Sequence, residues 1–122
     1  MITALVVDDV AIDRAHVTRI LRDLGVSVVQ ASCSEEAVRT TQTSMPDIIF
    51  MDVVMPGASG FDAVRKIRGL PDYKERPIVM LSSKSRKTDV LCAEFSGASA
   101  YIVKPATREA LAHALDRFLL PL

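Results

Sequence analysis

Ala4-Leu5-Val6-Val7-Asp8-Asp9 decides the fold. Four apolar residues in succession leave no polar face, so a strand built from them is covered on both sides, as in a parallel sheet between helix layers. The two aspartates end the run too early for a signal-peptide core, and no stretch approaches the ~20 apolar residues of a membrane span. Short runs of the same kind recur at 26–31, 47–51, 78–81 and 100–103, and the segments between them carry helical spacing instead. The chain reads as five strand-helix units in one domain, 1–122, without repeat, low-complexity tract or linker. This predicts an α/β fold, a doubly wound five-stranded parallel sheet with helices on both faces and right-handed crossovers.

The helical segments have recognisable stripes and ends. Val17, Ile20, Leu21 and Leu24 stand at i, i+3, i+4 and i+7, with Gly25 as the stop. Ser32 and Glu35 have capping-box spacing before the second helix, which Pro46 stops. The third and fourth helices are expected at 61–68 and 88–95, closed by Gly69 and Gly97. Leu111, Ala114, Leu115, Phe118 and Leu119 form the stripe of the last helix, with Thr107 as its N-cap. Leu119, Leu120 and Leu122 around Pro121 either finish the core or form an apolar patch.

Composition narrows the function. The 122 residues are 49% hydrophobic and 25% charged, a profile of packed globular domains and not of disordered chains. Fifteen Lys plus Arg balance fifteen Asp plus Glu, so no overall basic field exists to drive nucleic-acid binding. Cys33 and Cys92 are far apart and lack metal-binding spacing, which fits reduced thiols in the cytoplasm.

In open parallel sheets, ligands bind at the carboxyl ends of the strands. Those ends carry Asp8 and Asp9, Asp52, Ser82 and Lys104. One such aspartate commonly forms a turn or caps a helix. Three of them, a hydroxyl and a Lys-Pro step on one rim make a joint pattern. Repulsion among three carboxylates calls for positive charge. Lys104 supplies one, leaving about two negatives, which suits a hard, oxygen-loving divalent cation such as Mg²⁺.

These residues carry a resemblance. Val6-Val7-Asp8-Asp9, Met51-Asp52-Val53-Val54-Met55-Pro56-Gly57 leading to Gly60, Leu81-Ser82-Ser83, and Tyr101-Ile102-Val103-Lys104-Pro105 resemble the receiver domain of two-component response regulators. The resemblance covers the whole chain and is closest to the single-domain, CheY-like kind associated with chemotaxis and twitching motility. It implies a flavodoxin-like sheet of strand order 2-1-3-4-5. It also implies that Asp52 accepts a phosphoryl group from a sensor histidine kinase or phosphotransfer protein. Mg²⁺ would be held by Asp8, Asp9, Asp52 and the backbone carbonyl of Val54. Lys104 would contact the phosphoryl oxygens, and Ser82 would bond one after transfer, with Tyr101 moving into the vacated space. The signal would leave through helix four, strand five and helix five. Such a domain phosphorylates and slowly dephosphorylates itself, and is not an enzyme acting on external substrates; no output domain is expected within 1–122.

Plainer roles stand beside these. Ser82 also fits a cap for the fourth helix, and Tyr101 an edge-strand aromatic. Pro105 fits a tight turn, cis bond included, that fixes the direction of Lys104. Ser83 stands where receivers often have alanine, and Ala58-Ser59 where many have a more polar pair. Val54 and Lys84, two residues beyond Asp52 and Ser82, should set how readily water attacks the acyl phosphate. Lys84, Arg86 and Lys87 form a basic cluster that meets an acidic partner or is solvated, and His16 and His113 have surface or packing roles. Rival readings are a Mg²⁺-dependent phosphohydrolase with Asp52 as nucleophile, a phosphorylation-independent interaction module, and a flavin-binding protein. The first lacks a second acid at Val54, and the last would meet repulsion from Asp8 and Asp9.

Overall fold

The computed structural model describes residues 1–119 other than Pro56, Ala58 and Ser85. The expectations placed on Ala58 and on Leu120, Pro121 and Leu122 therefore lie outside the described residues. The elements are β1 (Thr3–Val7), α1 (Ala11–Asp23), β2 (Ser27–Ala31), α2 (Ser34–Ser44), β3 (Ile48–Asp52), α3 (Gly60–Arg68), β4 (Ile78–Ser82), α4 (Lys87–Ser96), β5 (Ala100–Val103) and α5 (Arg108–Leu119). All strand pairs are parallel and the sheet order is β2-β1-β3-β4-β5. No helix among the described residues is long and apolar enough to cross a membrane.

The continuous apolar runs fill two cores at once, because successive strand residues point to opposite faces. Leu5, Val7, Ile49, Met51, Ile78 and Met80 join one cluster with Ala37 of α2, Ala63, Val64 and Ile67 of α3, and Ala93 of α4. Their alternates Ala4, Val6, Ile48, Phe50, Val79 and Leu81 join Val17 and Leu21 of α1 and Leu111 and Ala114 of α5. Three helices therefore cover one face and two the other. Leu119 is partly buried against the second cluster, so it extends the core.

Local signals place most helix ends. Gly25 follows α1 at φ +88° and Gly97 follows α4 at φ +107°, where a β-carbon is strained. Thr107 Oγ1 accepts from Ala110 N at 3.1 Å, as its N-cap role requires. The second helix differs from expectation. The chain stays extended through Cys33, which is the N-cap of α2, so Ser32 lies one residue too early to cap. Its hydroxyl instead donates to Glu36 Oε2 at 3.4 Å, and the Ser32–Glu35 box does not form.

The amino end of the sheet is fastened by Arg68 at the last turn of α3. Its guanidinium donates to the carbonyls of Gly97 (2.9 Å), Tyr73 (2.8 Å) and Arg76, and to Ser99 Oγ (3.1 Å). Ser99 Oγ in turn accepts from Ile78 N at 3.0 Å, the first residue of β4. One side chain thus ties α3, the loop after it, and the entries to β4 and β5.

Candidate functional site

Parallel pairing brings the ends of β1, β3, β4 and β5 to one rim, where each strand ends in or is followed directly by a polar side chain. Asp8, Asp9 and Asp52 offer carboxylate oxygens that lie within 4.8 Å of one another. Asp8 and Asp52 are buried while Asp9 faces solvent, so the cluster opens outward on one side. Asp8 is held on both oxygens: Oδ1 accepts from Val10 N at 2.9 Å and Oδ2 from Lys104 Nζ at 2.9 Å. Arg14 of α1 donates to the Asp8 carbonyl at 2.7 Å, fixing the backbone at the strand end.

Lys104 is the electrostatic centre. Its Nζ lies 2.9 Å from Asp8 Oδ2, 3.0 Å from Asp52 Oδ1 and 3.2 Å from Asp13 Oδ2, so three carboxylates share one ammonium. Burial works against the Lys104 charge, but hydrogen bonds to Asp8 and Asp52 and the charges of both carboxylates outweigh it and raise its pKa. Burial pushes Asp52 up to about 6; the hydrogen bond from Lys104 opposes this, and the neighbouring charges of Asp8 and Asp9 add to it. Among the described residues Lys104 is the cation paired with these carboxylates, and its one charge does not balance three. That imbalance, with hard oxygen donors alone, fits a divalent ion of the Mg²⁺ type.

Gly60 lets α3 approach the end of β3. A β-carbon there would stand 2.2 Å from the Asp52 carbonyl oxygen, closer than non-bonded carbon and oxygen can approach. Gly60 N donates to the Val53 carbonyl at 2.9 Å, and Ser59 caps α3 by accepting from Asp62 N at 3.3 Å. Val54, just past the strand, is 58% exposed and stands beside the carboxylates without adding charge.

Ser82 is buried at the end of β4, and its Oγ accepts from Lys84 N at 3.1 Å. The helix-cap alternative is not met: α4 starts at Lys87 after Arg86, whose backbone N donates to Asp89 Oδ2 at 3.2 Å. The Ser82 carbonyl accepts from Lys104 N at 2.7 Å, tying β4 to β5 beneath the site. Tyr101 lies half-buried on the edge strand, and its hydroxyl donates to the Lys84 carbonyl at 2.7 Å, so it contacts the loop that begins at Ser82. The Lys104–Pro105 bond is cis, within the turn that Pro105 suggested. Lys84, Arg86 and Lys87 are exposed, and Arg86 pairs with Asp89 at 3.4 Å.

Sequence reasoning gathered Asp8, Asp9, Asp52, Ser82 and Lys104; the structure brings Asp8, Asp9, Asp52 and Lys104 together and places Ser82 at the end of the neighbouring strand β4, with its hydroxyl on Lys84 N. It missed Asp13 and Arg14. Their signal was position: α1 starts two residues past Asp9, so its first turn overlooks the same rim. His16, one turn on, donates from Nε2 to the Ala106 carbonyl at 2.8 Å, a packing role, and His113 is exposed. Ser83 is exposed and lines a cavity of about 300 Å³ with Asp13, His16, Lys104 and Pro105.

Comparison with known proteins agrees with this fold. The structure of the Vibrio cholerae chemotaxis protein CheY4 superimposes with a TM-score of 0.93 at 34% identity, covering 98% of this chain and 99% of that one. The receiver domain of a Pseudomonas aeruginosa sensor histidine kinase, solved with a magnesium ion coordinated in its active site cleft, gives 0.88 at 28% identity over 95% of both chains. Protein PilH of Pseudomonas aeruginosa is 29% identical over 98% of each chain. The model of the response regulator receiver domain matches residues 4–116, from β1 into α5, and the chain belongs to that family.

Proposed function

We propose that the protein is a phosphorylation-switched response regulator whose phosphoacceptor is Asp52, taking its phosphoryl group from a histidine kinase or phosphotransfer protein. The observation that carries this reading is the single ammonium of Lys104, 3.0 Å from the Asp52 carboxylate, inside a cluster completed by Asp8 and Asp9. In the transfer, an Asp52 carboxylate oxygen bonds phosphorus as the phosphorus–nitrogen bond of a donor phosphohistidine breaks. The electron pair leaves with the imidazole, which takes up a proton. Negative charge stays on the equatorial oxygens, so catalysis is chiefly positioning and charge stabilisation.

Asp8, Asp9, Asp52 and the Val54 carbonyl would hold Mg²⁺, a role supported by the donor chemistry and by the magnesium-bound kinase receiver of similar fold. Bound there, it supplies positive charge to the phosphoryl oxygens. Lys104 donates to one of those oxygens, giving up a carboxylate to do so. Ser82 turns its hydroxyl from Lys84 N to another oxygen, drawing the loop inward. Because Tyr101 bonds the Lys84 carbonyl in that loop, its ring is released to move. The outlet is the surface of α4, β5 and α5, where Leu91, Phe95 and Val103 are exposed apolar residues awaiting a protein partner.

Incubation with Mg²⁺ and acetyl phosphate, read by intact mass, should add one phosphoryl group to the wild type and none to Asp52→Asn. Beryllofluoride should shift the NMR signals of Ser82 and Tyr101 in the wild type alone. Equal labelling of Asp52→Asn would refute the assignment. Sustained phosphate release from an external monoester would favour a phosphohydrolase instead.

A further inference from the structure

We propose that Asp13 is a positioning residue for Lys104, holding the ammonium in place while its other two partners are given up. This rests on the proposed function and concerns how the same site works. The ammonium has three hydrogens and three carboxylate acceptors, at Asp8, Asp52 and Asp13. Two of those acceptors are needed elsewhere once the site is loaded: Asp8 and Asp52 turn to the cation, and Asp52 carries the phosphoryl group. Asp13 is neither a proposed metal ligand nor the acceptor, so its contact with Lys104 persists through both states.

The surroundings fit this role. Val10 precedes α1 without a side-chain cap, and Asp13 accepts from Lys104, far away in sequence, instead of capping its own helix. One turn further along α1, His16 donates to the Ala106 carbonyl, so the same helix face is fastened to the loop that leaves Lys104. Asp13, His16, Lys104 and Pro105 all line one cavity beside the acidic cluster. The Asp13 carboxylate is partly exposed whereas Asp8 and Asp52 are buried, so it retains solvation when the ammonium shifts and exerts a moderate pull. It is strong enough to orient Lys104 and too weak to withdraw it from a phosphoryl oxygen.

The test is Asp13→Asn, with Asp13→Glu as the charge-conserving rescue and Asp23→Asn at the far end of α1 as a control. In the metal-free protein, the Lys104 Nζ signal in ¹⁵N-lysine NMR should shift in Asp13→Asn and remain near its wild-type position in Asp23→Asn. At saturating Mg²⁺ and high ionic strength, where long-range field effects are suppressed, uptake from acetyl phosphate should slow by about three- to fivefold in Asp13→Asn. Asp13→Glu should restore at least half of the lost rate. An unmoved Nζ signal, or a rate unchanged or raised in Asp13→Asn, overturns the proposal while leaving Asp52 as acceptor. Failure of the wild type to take up phosphoryl overturns both.

Discussion

The two ends of the sheet each hold a half-buried cation, and they use it in opposite ways. At the amino end, Arg68 meets three carbonyls and a hydroxyl, all neutral, and every contact joins segments that must stay together. At the carboxyl end, Lys104 meets three carboxylates that repel one another. Neutral dipoles around a planar fork give a joint with no reason to exchange partners. Excess negative charge around a flexible ammonium gives a site that releases strain by accepting positive charge or by moving the ammonium. The fold is held at one end and left electrostatically unfinished at the other.

The sharpest way to break this contrast is Lys104→Met. Loss of a donor aimed at developing phosphoryl charge should slow uptake from acetyl phosphate by about 10²- to 10³-fold. Magnesium affinity, followed by NMR titration, should rise because the competing ammonium is gone. A variant that phosphorylates normally would show that the carboxyl end does not depend on its cation.

Arg68→Ala probes the other end and should change stability instead of chemistry. Leaving its carbonyl acceptors without a donor should lower unfolding free energy by about 3 kcal/mol in urea. Phosphoryl uptake per folded molecule should match the wild type. Equal losses of stability and uptake would mean that the two ends are not separable.

The smallest effect concerns pH. The folded pKa of Asp52 is raised to about 6 from an ordinary 3.8, so its ionised form is the disfavoured one in the native state. The resulting penalty is complete above pH 6 and disappears as pH falls toward 4. Asp52→Asn should therefore stabilise the metal-free protein by about 2 kcal/mol at pH 7, with the gain gone near pH 4. A pH-independent difference between the two unfolding curves would remove the electrostatic account.

The carboxyl end was far more legible in the sequence than the amino end. Asp8, Asp9, Asp52 and Lys104 follow apolar strand runs, and strand ends of a parallel sheet share a rim, so position alone gathers them. Arg68 had no comparable signal. It sits among Arg65, Lys66 and other helix-end cations that reach solvent, and only the tertiary path of the loop to β4 makes it a hub. Asp13 was lost for a similar reason, since an acid in a helix's first turn ordinarily serves the helix itself. The capping box expected at Ser32 does not form because the N-cap is Cys33, one residue on, and the spacing rule does not reveal where extended backbone ends.

Gly60 gives the end of β3 a mechanical property beyond its chemistry. With no room for even a methyl group between α3 and the Asp52 carbonyl, the strand tip and the helix are in gear without backlash. A shift of the tip toward α3 meets backbone directly, whereas the β4–α4 loop is reached through the exchangeable hydroxyl contacts of Ser82 and Tyr101 with Lys84. The end of β3 thus abuts its helix through backbone, while β4 and β5 reach the loop after β4 through side chains.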